Sequence, residues 1–227
     1  MTSRWVPGII APHFSGPLAQ LVEQWTFNPL VVGSSPTRPT NSPFAQSLDR
    51  LLNEPKMQRL FFAWWPSTEV QDRLCGIGKE HVPDPRARLT RCEKIHLTLA
   101  FLGPVNELTA QCARDAAGKI HWQRFSFMID QLGWFSRPRV MWAGCEETPP
   151  PLAGLASTLQ KGLVACGIRP EHRRFQVHLT LARKVNRPPS VSSLAPIECR
   201  FNEFALVESR IDENGATYET LATFKAD

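Results

Sequence analysis

The chain has 227 residues, 26 basic and 21 acidic side chains, 42% apolar and 9% aromatic residues, and a mildly basic balance of +5. That length suits one medium domain or two small lobes, and no window holds the roughly 18 uninterrupted apolar residues of a membrane span. The start lacks a charged-then-apolar run, so a secretory leader is not expected. The six cysteines (Cys75, Cys92, Cys112, Cys145, Cys166, Cys199) form no CxxC, which sets aside zinc ribbons and redox motifs and predicts reduced thiols in a cytoplasmic protein.

Residues 1–56 hold 8 of the 20 prolines and 7 charged residues, against 40 charges in the remaining 171. Asn28–Pro43 shows breaker residues without helical or strand period, and such a segment buries too little apolar area to offset its ordering entropy. The run LAQLVEQWTFNPLVVGSSPTRPT resembles the conceptual translation of a transfer-RNA gene. Residues 1–56 are therefore read as a non-native or disordered extension, and 57–227 as the domain.

Leu60–Trp65 is an all-apolar run, read as a buried central strand. Val70, Leu74 and Ile77 recur at helical spacing, and Leu89–Leu102 is strand-like. A helix over Val105–Ile120 lines up Leu108, Cys112 and Ala116, with Asn106 available as its cap. Phe125, Phe127 and Ile129 alternate as in a half-buried strand, and Val140–Ala143 is another apolar run. Pro149–Gly167 carries a stripe of Leu152, Leu155, Leu159 and Leu163, ended by Gly167. Phe175–Ala182 is strand-like, and the tail reads as a hairpin turning at Asn214-Gly215. Interleaved helices, strands and hairpins predict an α+β fold with a largely antiparallel sheet.

One feature stands above this background. His96-Leu97-Thr98-Leu99-Ala100 recurs as His178-Leu179-Thr180-Leu181-Ala182, an offset of 82 residues, which points to internal duplication. On a strand Leu97 and Leu99 point to one face and His96 and Thr98 to the other. Two such strands related by a pseudo-two-fold line one cleft with two imidazoles and two hydroxyls. Basic residues precede both copies: Arg86, Arg88, Arg91 and Lys94, then Arg169, Arg173 and Arg174. Free imidazole titrates near pH 6.5, so one neutral and one protonated ring can coexist near neutrality. Phosphodiester hydrolysis uses such a pair, one ring taking a proton from water and the other protonating the departing oxygen. Thr hydroxyls and a guanidinium can hold the non-bridging oxygens. No zinc set is expected, because neither copy brings a nearby carboxylate or thiol. His81, His121 and His172 lack the Thr partner and the repeat.

HLTLAFLG (His96–Gly103) and HLTLAR (His178–Arg183), with LFFAWWP (Leu60–Pro66) and RVMWAG (Arg139–Gly144), resemble the bacterial RNA 2',3'-cyclic phosphodiesterase branch of the 2H phosphoesterases, formerly called 2'-5' RNA ligases. The resemblance runs from about Met57 to the C-terminus. It implies a bilobal, duplicated α+β fold around a central groove. It also implies hydrolysis of an RNA 2',3'-cyclic phosphate to a 2'-phosphomonoester, with reversible 2'-5' joining, and no metal or cofactor. His96 is then the proton donor, His178 the proton acceptor, Thr98 and Thr180 hold the phosphate, and Arg183 lies beside it. Lys94-Ile95 and Gln176-Val177 precede the tetrads where the family usually has Asn-Leu and His-Pro pairs. Arg139 is a further candidate contact to RNA, and Trp142 and Phe175 are candidates for stacking on a base. The expected partner is RNA with a 2',3'-cyclic phosphate end, including fragments like those of transfer RNA, bound by a monomer away from membranes. The competing readings are a non-catalytic RNA-binding module and the same chemistry on 2'-5' oligonucleotides or small cyclic nucleotides.

Overall fold

The computed structural model describes residues 56–227 apart from His172 and Asn214. The expectations for residues 1–55, for His172 and for the Asn214 side of the hairpin turn lie outside the described residues. The elements in chain order are β1 (Gln58–Trp64), α1 (Thr68–His81), β2 (Arg88–Leu89), a 3-10 turn (Cys92–Lys94), β3 (Leu97–Val105), α2 (Glu107–Gly118), β4 (Phe125–Phe135), β5 (Val140–Gly144), α3 (Pro150–Ala165), β6 (His178–Arg183), β7 (Ser193–Phe201), β8 (Glu203–Asp212) and β9 (Gly215–Lys225). The strands join one antiparallel sheet in the order β7-β4-β5-β6-β3-β1-β8-β9, with β2 added against β6. The fold is α+β, as the interleaved patterns predict.

Local chemistry explains the helix bounds. Ser67 caps α1 by accepting from the Val70 amide, and Asn106 caps α2 by accepting from the Thr109 amide at 2.9 Å. α3 starts on Pro150, whose fixed φ suits a first turn. It ends where Gly167 takes φ +79°, letting the Ile168 amide return to the Leu163 carbonyl. α1 buries Val70, Leu74 and Cys75, and α3 buries its predicted leucine stripe. α2 buries only Ala110, Ala113 and Ala117, small residues that let it approach closely. These faces join Leu60, Phe62, Trp64, Leu97, Leu99, Leu179 and Leu181 in one core. The opposite face of β1 and β8 carries a small separate cluster of Phe61, Ala63, Ala205 and Val207, flanked by Trp65 and Tyr218.

The duplication is visible in the sheet. β3 and β6 meet at the centre, where Leu97 pairs with Leu179. These residues are copies of each other, so the pseudo-two-fold passes between them. It exchanges β3 with β6, β1 with β5, β8 with β4 and β9 with β7 in the strand order, giving the two lobes their matched halves. The correspondence reaches irregularities: pairing skips Leu99 between β1 and β3, and skips Leu181 between β5 and β6. One β-bulge is thus repeated after each His-Leu-Thr.

Two cysteine pairs depart from the expectation of reduced thiols. Cys75 on α1 is disulfide-bonded to Cys92 in the 3-10 turn, and Cys112 on α2 to Cys166 at the end of α3. The partners lie 17 and 54 residues apart, so tertiary packing, not a short spacing motif, brings them together. Cys145 and Cys199 are free and buried, and burial pushes both thiols up to about 12. Among the described residues no helix is long and apolar enough to cross a membrane.

Candidate active site

Antiparallel counting from Leu97–Leu179 sets His96 opposite Thr180 and His178 opposite Thr98. All four side chains line a single cleft of about 520 Å³, within the range of small-molecule sites. The cations Arg88, Arg91, Lys94 and Arg183 also line it, and no carboxylate does among the described residues. Such walls concentrate positive potential and attract anions.

Both imidazoles are oriented alike. His96 Nδ1 lies 2.8 Å from the Lys94 carbonyl and His178 Nδ1 lies 2.9 Å from the Gln176 carbonyl. A carbonyl only accepts, so each Nδ1 carries the proton, and each Nε2 is left with its lone pair on the ring edge away from the backbone. The segment before His96 is tied down from three directions. Gln71 Nε2 donates to the Ile95 carbonyl at 3.2 Å, Lys94 Nζ donates to the Ala216 carbonyl at 2.6 Å, and Cys92 is bonded to Cys75.

The surroundings of the two rings differ. His96 stacks on Trp65 at 5.1 Å, lies 5.3 Å from Phe61 and meets Tyr218 edge-on at 5.2 Å. His178 has Phe135 at 5.6 Å, edge-on. Burial is the main cause that pushes His96 down to about 4; Arg183 and His178 add to it and the Lys94 carbonyl opposes it. Burial likewise lowers His178, with Arg183 adding to it and the Gln176 carbonyl opposing. Two enclosed imidazoles beside a guanidinium are poor places for a further positive charge, and burial disfavours the charged form of both rings. Arg183 reaches solvent at the cleft mouth, but its guanidinium is enclosed enough that burial lowers its pKa; it remains a cation.

The cleft gathers His96, His178, Thr98, Thr180 and Arg183 and leaves out three other predicted contacts. Trp142 lies opposite Thr180 across β5–β6, but it is 5% exposed. Phe135 covers it at 5.2 Å, and it lies flat against Gly133, where a Cβ would come within 2.1 Å of its ring. Phe135 is the ring that reaches the cleft. Phe175 packs against the main core and gives its carbonyl to Thr148 Oγ1 at 3.4 Å. Arg139 occupies the β4–β5 turn at φ +53°, with Nη1 donating to Asn186 Oδ1 at 3.2 Å. None of the three lines the cleft. Sequence reading missed Phe61, Phe101, Phe135, Tyr218 and the lining role of Arg88, Arg91 and Lys94. The basic stretch before His96 was the available signal for the cations. No local pattern marks Tyr218, which arrives from β9.

Comparison with known proteins adds an independent line. The 2'-5' RNA ligase superfamily matches residues 73–213. An RNA 2',3'-cyclic phosphodiesterase of Escherichia coli (strain K12) is 31% identical over 140 residues, covering 62% of this chain and 78% of that protein. Among solved structures, one described as a phosphoesterase superposes with TM-score 0.71 at 29% identity, covering 76% of this chain and 99% of the other. E. coli LigT complexed with 3'-AMP superposes with TM-score 0.66 at 28% identity, covering 75% and 98%.

Proposed function

This chain belongs to the 2'-5' RNA ligase superfamily, and from that membership together with its cleft we propose that it hydrolyses the 2',3'-cyclic phosphate end of RNA to a 2'-phosphomonoester. The observation that carries the reading is the pair of imidazoles, each with Nδ1 committed to a backbone carbonyl, in one cation-walled cleft. The relatives named RNA 2',3'-cyclic phosphodiesterases and the LigT complex with 3'-AMP support the substrate class.

In the proposed reaction His178 Nε2 accepts a proton from water as its oxygen attacks phosphorus. The P–O3' bond breaks, and protonated His96 passes its Nε2 proton to the departing 3' oxygen. The product is a 2'-phosphate beside a free 3'-hydroxyl. Thr98 and Thr180 donate to the non-bridging oxygens and Arg183 offsets the charge building on them. A negative phosphate beside His96 favours the imidazolium that this step requires. A 5'-hydroxyl entering in place of water forms a 2'-5' bond by the same proton transfers. The residues lining the cleft offer hydrogen-bond donors and imidazoles in place of a carboxylate cage, and the proposal is metal-independent.

The test is incubation of the protein with RNA ending in a 2',3'-cyclic phosphate in EDTA, with identification of the product isomer. A 2'-phosphate formed at an EDTA-independent rate is expected. A 3'-phosphate, loss of turnover in EDTA, or no turnover rejects the proposal.

A further inference from the structure

The internal duplication is broken beside the two imidazoles. Trp64 pairs with Leu97 between β1 and β3, so Trp65 stands opposite His96. In the other copy Ala143 pairs with Leu179, and Gly144 with His178. Trp65 and Gly144 therefore hold the same place in the two halves, one with the largest side chain and one with none. No side chain fits at Gly144, where a Cβ would come within 2.1 Å of the Val177 carbonyl oxygen. At the matching place the Trp65 indole lies over the His96 ring, 5.1 Å away with 28° between the planes. Phe61 adds a tilted ring at 5.3 Å, and Tyr218, the single tyrosine of the chain, an edge-on ring at 5.2 Å. Beside His178 the ring contact is Phe135, edge-on at 5.6 Å.

The backbone does not distinguish the two histidines, because each Nδ1 meets the carbonyl two residues before it. A preference for which ring carries the extra proton has to come from what surrounds them. An indole carries negative charge density on its face, and a cation within about 6 Å of the ring centroid is attracted to it, whereas a neutral ring gains much less. The same cover keeps water off His96, and burial pushes it down to about 4. An anion at Nε2 and the indole on the covered face then favour the same charged form. The other groups acting on this ring are the Lys94 carbonyl, which favours the imidazolium, and Arg183 and His178 from β6, which oppose it. Tyr218 from β9 is uncharged at neutral pH, because burial raises its phenol. Phe61 and Trp65 from β1 bring no charge.

We propose that Trp65 is a positioning residue that stabilises the charged form of His96 through its π face, and that the exchange of indole for glycine between the halves makes the first copy the proton donor and the second the acceptor. The inference rests on the paired-imidazole reading of the cleft and deepens it.

The test replaces tryptophan throughout the whole protein with mono-, di- and trifluorotryptophan, which draws charge from the ring face with little change of shape. The titrations of His96 and His178 are followed by ¹⁵N resonances in saturating inorganic phosphate. The imidazolium-to-imidazole ratio of His96 at fixed pH is expected to fall stepwise, by roughly 2- to 30-fold across the series, while that of His178 stays in place. In Trp65→Leu, or in Trp65→Phe should the leucine variant not fold, the dependence on fluorination is expected to vanish, which assigns it to this indole among the tryptophans. A His96 titration that fluorination leaves in place, equal movement of both rings, or a response that persists without Trp65 overturns the inference. Turnover of the cyclic phosphate with an unmoved His96 defeats this inference alone. A stepwise fall at His96 in a protein without turnover supports it and defeats the phosphodiesterase proposal.

Discussion

Burial pushes the His96 imidazole down to about 4, so its charge state near neutral pH is expected to depend on a bound anion. The groups acting on it are the Lys94 carbonyl beside it, Arg183 and His178 from β6 and the Tyr218 ring from β9. Tyr218 is raised by burial and is neutral at pH 7. A single negative charge about 4 Å from the ring, at an effective dielectric near 20, is worth about 4 kcal/mol. Divided by 1.36 kcal/mol per unit, that is a rise of about 3 pKa units, which carries His96 from about 4 to about 7. The assay is a pH titration of ¹⁵N-histidine resonances, with and without saturating inorganic phosphate, using His178→Gln to assign the two rings. Without phosphate, His96 is expected to remain neutral, with Nδ1–H retained, down to about pH 5, and to titrate near neutrality when phosphate is bound. A His96 that titrates above 6 in the empty protein, or that phosphate leaves unmoved, refutes the reasoning.

Replacing either His96 or His178 with Ala is expected to lower kcat by roughly 10²- to 10⁴-fold, the range for loss of one acid or base, with the thermal melt retained as the control for folding. Thr98→Val and Thr180→Val each remove a donor to the phosphate and are expected to reduce kcat by about 10²-fold, with a smaller change in KM; a change confined to KM counts against their role. Folding stability also follows from the depressed ring. Between the unfolded pKa of 6.5 and the folded value of about 4, the unfolded chain binds the extra proton, so stability falls as pH drops through that window, by about 3 kcal/mol in total for His96. Urea melts at about pH 7 and 4.5 are expected to converge partly in His96→Phe; an unchanged difference refutes the linkage. Gly133→Ala sets a Cβ into the Trp142 ring, and overpacking of about 1–3 kcal/mol or more is expected as a lowered melting temperature.

The parts of the molecule encoded locally were legible. The five-residue repeat gave the two strands, the faces of their side chains and the convergence of both His-Thr pairs, because strand alternation is a short-range property. Asn106 and the leucines of α3 likewise marked helices through nearest-turn chemistry. What covers a side chain is not local. Trp142 shares a face with Thr180, as a base-stacking residue would, yet Phe135 from the neighbouring strand lies over it. Lys94 meets Ala216 across 122 residues, and Tyr218 reaches His96 only because β8 and β9 fold back beside β1. The fall in imidazole basicity is equally a product of assembly, since no single segment buries either ring. The two disulfides were hidden for the same reason, each joining elements that only the fold makes neighbours.

The Leu97–Leu179 pair has a mechanical consequence. Most neighbouring strands along the main sheet are laced by four or more residue pairs, whereas the two halves share one at this seam. Pulled or warmed, such a fabric tears along its least-stitched line, and here that line runs between the two reactive rings. Behind that line the helices do the bridging, since α1, which precedes β3 in the chain, packs on β6, and α3, which precedes β6, packs on β3.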